Sequence, residues 1–321
     1  MRPPAPVILA SVALATLAGG CGLEDPVAQP AAQARPPAQR VTVRAPLQVA
    51  NGPLQVPAAA RTPVARLDRE DRLRVPFKRP PRSGLLLDLD TGEVLWRRKP
   101  TQVLPIASLT KMMTALVVTD RLTTRDKALI TPLALNYRGS GVGLLPLGER
   151  VRVETLLYGL LLPSGNDAAR ALAERTSGTL SGFIGLMNAR ATSMNLGCTR
   201  FSSPDGLRNE GNHSCATDLA VMASAVLDQP RLARIVGTHR VVRRFPTKGG
   251  KLYLTNTNPL LRTGYPGALG VKTGYTRVAG RCLVVAARRN GRRLAVVLID
   301  SPDPATQARR LLDRGFGVRS G

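Results

Sequence analysis

The stretch GVKTGYTRVAGRCLVVAARRNGRRLAVVLIDS, residues 270–301, decides the fold. Its apolar residues fall in three short runs. The last two are joined by Asn290-Gly291, a pair suited to the left-handed backbone of a two-residue hairpin turn. Three antiparallel strands are therefore expected, with a closing helix over PATQARRLLDRGF, residues 304–316. A second hairpin is expected where GLLLDLD and EVLWRR flank Thr91-Gly92. Asp88, Asp90 and Glu93 surround that turn, but the further ligand positions of a calcium loop are missing, so they read as turn residues.

Between the hairpins the periodicity becomes helical. VRVETLLYGLLLP (151–163) gives a helix stopped by Pro163, and Asn166-Asp167 can cap the following helix AARALAERTSG (168–178). Further helices are expected over SGFIGLMNARATSMNL (181–196) and ATDLAVMASAVLDQ (216–229). Strands first, helices in the middle, then strands and a helix imply an α/β (α+β) class. The expected architecture is an antiparallel sheet with helices on its faces and a helical lobe inserted between.

The chemistry gathers at PIASLTKMMTALVV, residues 105–118. Leu109, Met112, Met113, Leu116 and Val117 repeat at helical spacing, which assigns one face to a core. Ser108 and Lys111 lie three apart near the helix start, so their side chains are neighbours, about 5–6 Å between Cβ atoms, close enough to share a proton. A serine hydroxyl needs a base, and the two histidines, His213 and His239, sit in no suggestive motif. Lys111 can serve if its pKa falls from about 10.4 towards neutrality, which burial and a second cation such as Lys272 would promote.

Two further elements extend the pattern: Ser164-Gly165-Asn166 in a short interhelical loop, and Lys272-Thr273-Gly274 on the first of the three strands. Ser164 can relay a proton to a leaving nitrogen. Asn166 can hold Lys111 and donate to a substrate backbone. Gly274 would let a substrate chain pair along the strand, with Lys272 and Thr273 facing an anionic terminus. The backbone N–H groups of Ser108 and Tyr275 are the natural donors for an oxyanion. Taken singly each motif has a bland counterpart: S-x-x-K occurs by chance on the order of once per chain of ordinary composition, S-G-N can be a plain loop with a cap, and K-T-G a surface turn. Order and context combine them.

Composition narrows the partners. A formal net charge of +25 would suit a polyanion, yet aromatic residues make up only 3% and no nucleic-acid motif is present, so a nucleic-acid partner is not expected and an acidic cell envelope is. The four cysteines form no C-x-x-C pair, so neither a metal nor another cofactor is expected. Cys198 and Cys215 flank a loop-like stretch and can form a disulfide in an oxidising compartment, whereas Cys282 opens a strand-like run as an inert buried thiol.

Residues 1–21 carry one Arg, a short apolar run and small residues ahead of Cys21, which describes an export signal. The apolar run is shorter than the roughly 20 residues that cross a bilayer. Residues 22–82 turn to Pro, Ala, Gln and Arg, the composition of a tether, within which VTVRAPLQV could form a strand. The catalytic domain is expected over 83–321.

With these elements in hand, S-x-x-K, then S-G-N, then K-T-G match the signature of class A β-lactamases and penicillin-binding proteins. The chain resembles the serine D-alanyl-D-alanine carboxypeptidases among the low-molecular-mass penicillin-binding proteins. The likeness runs through LLLDLDTGEVL, PIASLTKMMTALV, LLYGLLLPSGNDAARALAE, RFSSPDGL, GVKTGYTRVAGRCLV and ARRLLDRGF. It implies a β-lactamase/DD-peptidase-like fold and a peptidoglycan pentapeptide stem as substrate. It also implies attack by Ser108 to leave an acyl-enzyme, and β-lactams as covalent inhibitors of the same serine. Leu17-Ala18-Gly19-Gly20-Cys21 is similar to a lipoprotein cleavage site, which would place the protein on the outer side of the membrane, anchored through a lipid on Cys21.

The likeness has departures. Several relatives carry a second β-rich domain and an amphipathic tail helix after the catalytic one, so anchoring is expected at the N-terminus. Where some carboxypeptidases place an arginine for the substrate carboxylate, SPDPATQARR offers proline, leaving Arg281 or Arg309. Two alternatives stay open. A class A β-lactamase would need a glutamate in an E-x-x-L-N pattern, which is absent, with Glu174 too close to Ser164 and Glu210 in no such context. An inactive wall-binding protein would not need all three motifs.

Overall fold

The five-stranded sheet at the centre of the molecule has apolar residues on both faces, and this produces three layers. The computed structural model describes residues 65–207, 210–246 and 249–318. In chain order these hold β1 (Ser83–Asp88), β2 (Val94–Arg98), β3 (Leu104–Pro105), a 3₁₀ turn (Ala107–Thr110), α1 (Lys111–Arg121), β4 (Lys127–Leu129) and α2 (Pro132–Leu135). Then come β5 (Arg150–Arg152), α3 (Val153–Leu161), α4 (Asn166–Ser177), α5 (Leu180–Ser193), β6 (His213–Ser214), α6 (Ala216–Asp228) and α7 (Pro230–Val236). The chain continues through β7 (Arg240–Arg244), β8 (Lys251–Thr255), α8 (Pro259–Arg262), β9 (Ala268–Thr276), β10 (Gly280–Arg289), β11 (Arg292–Ile299) and α9 (Pro304–Gly317).

The sheet runs β2-β1-β11-β10-β9, every neighbour antiparallel. Both expected hairpins are present. Asn290 and Gly291 take φ of 49° and 79° in the tight turn, and Asp88 Oδ1 accepts from the backbone N–H of Asp90 and Thr91. Asp88, Asp90 and Glu93 pair with Arg292, Arg293 and Arg72, so each has a protein cation as partner. Strand side chains alternate between faces. Leu86, Leu95, Val285, Val296 and Leu298 pack towards α9, while Leu85, Leu87, Val284, Ala295 and Val297 pack towards the inserted helices. Burying one such side chain contributes about 1.5–3 kcal/mol.

Helix α1 departs from the expected one-sided pattern. Every residue from Lys111 to Val118 is buried, because α3, α4, α5 and α6 surround it. The inserted region is also not purely helical: β3–β6, β4–β5 and β7–β8 form three small two-stranded sheets.

Residues ahead of the expected boundary at Ser83 pack on the domain. Val75 is buried, Phe77 meets Trp96 edge-on, and Gln307 donates to the carbonyl of Arg79. Pro and Arg dominate this segment in composition, but a few well-placed apolar residues anchor it on the β2 and α9 side. The expected export signal, Cys21, the expected tether up to residue 64 and VTVRAPLQV lie outside the described residues. No helix among the described residues is long and apolar enough to cross a membrane.

Candidate active site

Ser108 sits in the 3₁₀ turn that opens into α1, presented by Ala107, whose φ of 49° is left-handed and uncommon for a residue with a Cβ. Lys111 begins α1, and its Nζ donates to Ser108 Oγ at 2.9 Å, Asn166 Oδ1 at 2.7 Å and the carbonyl oxygen of Asp205 at 2.7 Å. The amine is fully buried. Burial lowers its pKa to about 8, against the opposing pull of the Asp205 and Asp167 carboxylates. Hydroxyl and amine therefore meet as their spacing predicts.

Asn166 reaches this amine because it opens α4, but it does not cap that helix. Gly165 occupies the cap position, and the Asn166 amide spans from Lys111 to the carbonyl of Arg138. Asp167 is likewise drawn outward: its carboxylate accepts from the backbone N–H of Val142, Gly143 and Ala168 and fastens the 138–143 loop beside the site. Ser164 has a left-handed φ of 68° and is 7% exposed, and its Oγ makes no hydrogen bond among the described residues. A strained backbone carrying an unpartnered buried hydroxyl is what a substrate-contacting position exhibits.

Strand β9 closes the other side. Lys272 is buried with its pKa lowered, first by burial and then by the charge of Lys111, and its Nζ donates to the carbonyl of Thr273. The second cation expected near Lys111 is thus present. The Thr273 hydroxyl lies 2.7 Å from that of Thr257, and Thr257 N–H donates to the carbonyl of Leu162, two residues before Ser164. Gly274 also meets a packing requirement: a Cβ there would lie 3.1 Å from Ile106 O and Ser108 N and 3.2 Å from Leu109 N, so glycine lets the strand close on the serine turn. Tyr275 follows with its side chain exposed.

Of the two arginines left open, Arg281 lies across from Tyr275 on β10 and donates to the carbonyl of Pro302. Arg309 sits on α9, bonded to Thr263 and beside the Tyr265 ring, on the opposite side of the sheet from α1. Glu174 accepts from the Thr131 hydroxyl.

The stretch RFSSPDGL, residues 200–207, contributes to the site in a way its sequence does not announce. The carbonyl of Asp205 is a ligand of Lys111, and Thr114 Oγ1 donates to the carbonyl of Pro204 at 2.6 Å. Gly206 follows with φ of 76°, and a Cβ there would lie 2.0 Å from Ala107 O. The Pro-Asp-Gly turn signature was the available signal. Cys198 and Cys215 form a disulfide that closes this loop, and Cys282 is a buried thiol whose pKa is pushed up to about 12.

A serine activated by a buried lysine, against a strand edge and beside a second buried hydroxyl, defines a serine acyl-transfer enzyme of the Ser–Lys type. The comparisons with known proteins agree. The family model described as D-alanyl-D-alanine carboxypeptidase (Peptidase_S11) matches residues 77–303. D-alanyl-D-alanine carboxypeptidase DacF of Bacillus subtilis is 36% identical over 243 residues, covering 73% of this chain and 62% of the relative. A D-alanyl-D-alanine endopeptidase of Escherichia coli is 33% identical over 220 residues, covering 68% of this chain and 71% of the relative. The crystal structure of the Streptomyces K15 DD-transpeptidase superposes with a TM-score of 0.71 at 33% identity, over 77% of this chain and all of that one. The chain belongs to the Peptidase_S11 family of D-alanyl-D-alanine carboxypeptidases.

Proposed function

We propose that this protein is a serine D-alanyl-D-alanine carboxypeptidase that removes the terminal D-alanine from peptidoglycan stem peptides. The carrying observation is the buried Lys111 amine, 2.9 Å from Ser108 Oγ with its pKa lowered. At pH 7 a group of pKa about 8 is neutral in about one molecule in ten, enough to act as a base.

Ser108 Oγ gives its proton to Lys111 Nζ and bonds to the carbonyl carbon between the two D-alanines. The N–H groups of Ser108 and Tyr275 stabilise the oxyanion. As the C–N bond breaks, the proton passes from Lys111 through Ser164 Oγ to the departing nitrogen of D-alanine. Water then cleaves the ester, giving a proton to Lys111, which passes it to Ser108 Oγ as the acyl group leaves. Lys272 and Thr273 hold the terminal carboxylate, with Arg281 the nearer of the two arginines to that strand. Opening of a β-lactam ring by Ser108 follows the same first step.

The Cys198–Cys215 disulfide supports export to an oxidising compartment, on the wall side of the membrane, with Cys21 as a lipid anchor. The test is D-alanine release from a diacetylated Lys-D-Ala-D-Ala peptide. Wild type should release it and Ser108→Ala should not; equal release by both would sink the assignment.

A further inference from the structure

The β7–β8 hairpin carries no part of the chemistry above, yet its composition is one-sided. Residues 238–258 contain Arg240, Arg243, Arg244, Lys248 and Lys251 and no aspartate or glutamate. The inner face is fixed to the domain: Leu252, Leu254 and Phe245 are buried, and Arg243 lies over the Tyr158 ring. The outer face is exposed and consists of three directly opposed pairs, Arg240 with Thr255, Val242 with Tyr253 and Arg244 with Lys251.

Two features of that face are costly for the isolated protein. Arg244 and Lys251 are like charges directly opposite, which destabilises an antiparallel pair. Tyr253 is 72% exposed between the cations. Arg240, Arg244 and Lys251 make no ion pair among the described residues, whereas Arg231, Arg292 and Arg293 each hold a carboxylate. The face is also tied to the site, because β8 runs directly into Thr257, which contacts Thr273 and Leu162.

We infer that the outer face of the β7–β8 hairpin is a docking surface for the polymeric form of the substrate, a glycan strand with carboxylate-bearing stem peptides. The cations face the carboxylates and Tyr253 offers a flat ring for a sugar. Charge complementarity carries the choice of occupant, since the three cations have no ion-pair partner among the described residues and a sugar polymer rich in carboxylates satisfies both cation and ring. The inference rests on the proposed function for its substrate, but the surface can be tested without turnover.

The experiment compares the full chain with a variant carrying Arg240→Glu, Arg244→Glu, Lys251→Glu and Tyr253→Ala. For D-alanine release, kcat/KM on insoluble peptidoglycan should fall about tenfold, the lower end of what a focused field adds to association. On the diacetylated tripeptide it should stay unchanged. Equal losses on both substrates, or none on either, would overturn the inference. In a second measurement, penicillin-treated protein is sedimented with purified peptidoglycan, which requires no catalysis and so separates failure of this surface from failure of the proposed activity. Wild type should co-sediment and the variant should stay in solution. Retention of the variant, or wild-type binding only to vesicles of phosphatidylglycerol and phosphatidylethanolamine, would overturn it.

Discussion

Gly274 stands 3.1 Å, measured from the position of an added Cβ, from the backbone nitrogen of Ser108. The third motif of the chain is in this way pressed against the first, and the contact is with backbone, which cannot swing aside. Gly274→Ala should therefore push strand and serine turn apart by a few tenths of an ångström. Since a displacement of about 1 Å near the reacting atoms costs roughly 10²-fold in rate, kcat/KM should fall by about tenfold. Overpacking should also cost about 1 kcal/mol of stability. D-alanine release and a thermal melt check both; an unchanged rate would mean the strand can move freely.

The buried amines predict a definite pH dependence. Acylation needs Lys111 neutral, so the rate of β-lactam acylation should rise with pH towards a plateau, with an acid limb of apparent pKa near 8. Stability should move in the same direction for a different reason. Lys111 is lowered to about 8 from an ordinary value of 10.5, so between those pH values the unfolded chain binds more protons and raising the pH favours the folded state. Lys272, lowered in the same sense, adds to the effect. Stopped-flow acylation rates from pH 5 to 10 read the first effect and denaturant midpoints the second.

Ser164 predicts a separation of function from stability. Its hydroxyl has no partner among the described residues, so Ser164→Ala removes no hydrogen bond and should leave the melting temperature unchanged or slightly raised. Loss of the proton relay should cost 10²–10⁴-fold in turnover, the usual range for general acid–base groups. Ser164→Gly should in addition relieve the left-handed backbone, by about 1 kcal/mol. Parallel melts and D-alanine assays distinguish the two variants.

After exposure to penicillin, intact-mass spectrometry should show a persistent adduct on the wild type and none on Ser108→Ala. Glu174, the glutamate nearest the second motif in sequence, is bonded to Thr131. Rapid return to the unmodified mass would instead indicate a β-lactamase.

The disulfide should matter both to stability and to the base. Cys198 and Cys215 are separated by 17 residues and enclose the loop whose Asp205 carbonyl holds Lys111. Closing a loop of that length is worth roughly 3 kcal/mol. Reduction with dithiothreitol should lower the melting temperature accordingly and reduce acylation by penicillin; an unchanged melt would show the loop to be held by its own hydrogen bonds.

Much of this was legible before any coordinates. The two hairpins and the helices follow from local patterns, because alternation, helical spacing and a turn pair such as Asn290-Gly291 act over a few residues. The meeting of Ser108 and Lys111 follows from helical geometry alone. The β7–β8 hairpin is hard to read from sequence although Lys251 to Thr255 alternates strictly between exposed and buried, since six residues, 245–250, separate its strands and Gly249-Gly250 does not stand alone between them. The segment ahead of Ser83 reads as a tether by composition, which does not register the few apolar anchors that seat it. Of the two roles the sequence offers Asn166, the hold on Lys111 is present and the helix cap is not, because the amide that reaches across to the amine is no longer free to fold back on its own helix.

The sequence by itself determined which groups could react: a hydroxyl and an amine one turn apart, a second serine with an asparagine, and a lysine, threonine and glycine on a strand. Only the tertiary structure decided what those groups experience. Burial beneath α4 and against β9 lowers the Lys111 pKa, and the Asp205 carbonyl orients its amine. The reason is physical: desolvation depends on everything packed around a side chain, and a backbone carbonyl is the same group in every residue, so neither is marked by a letter in the chain.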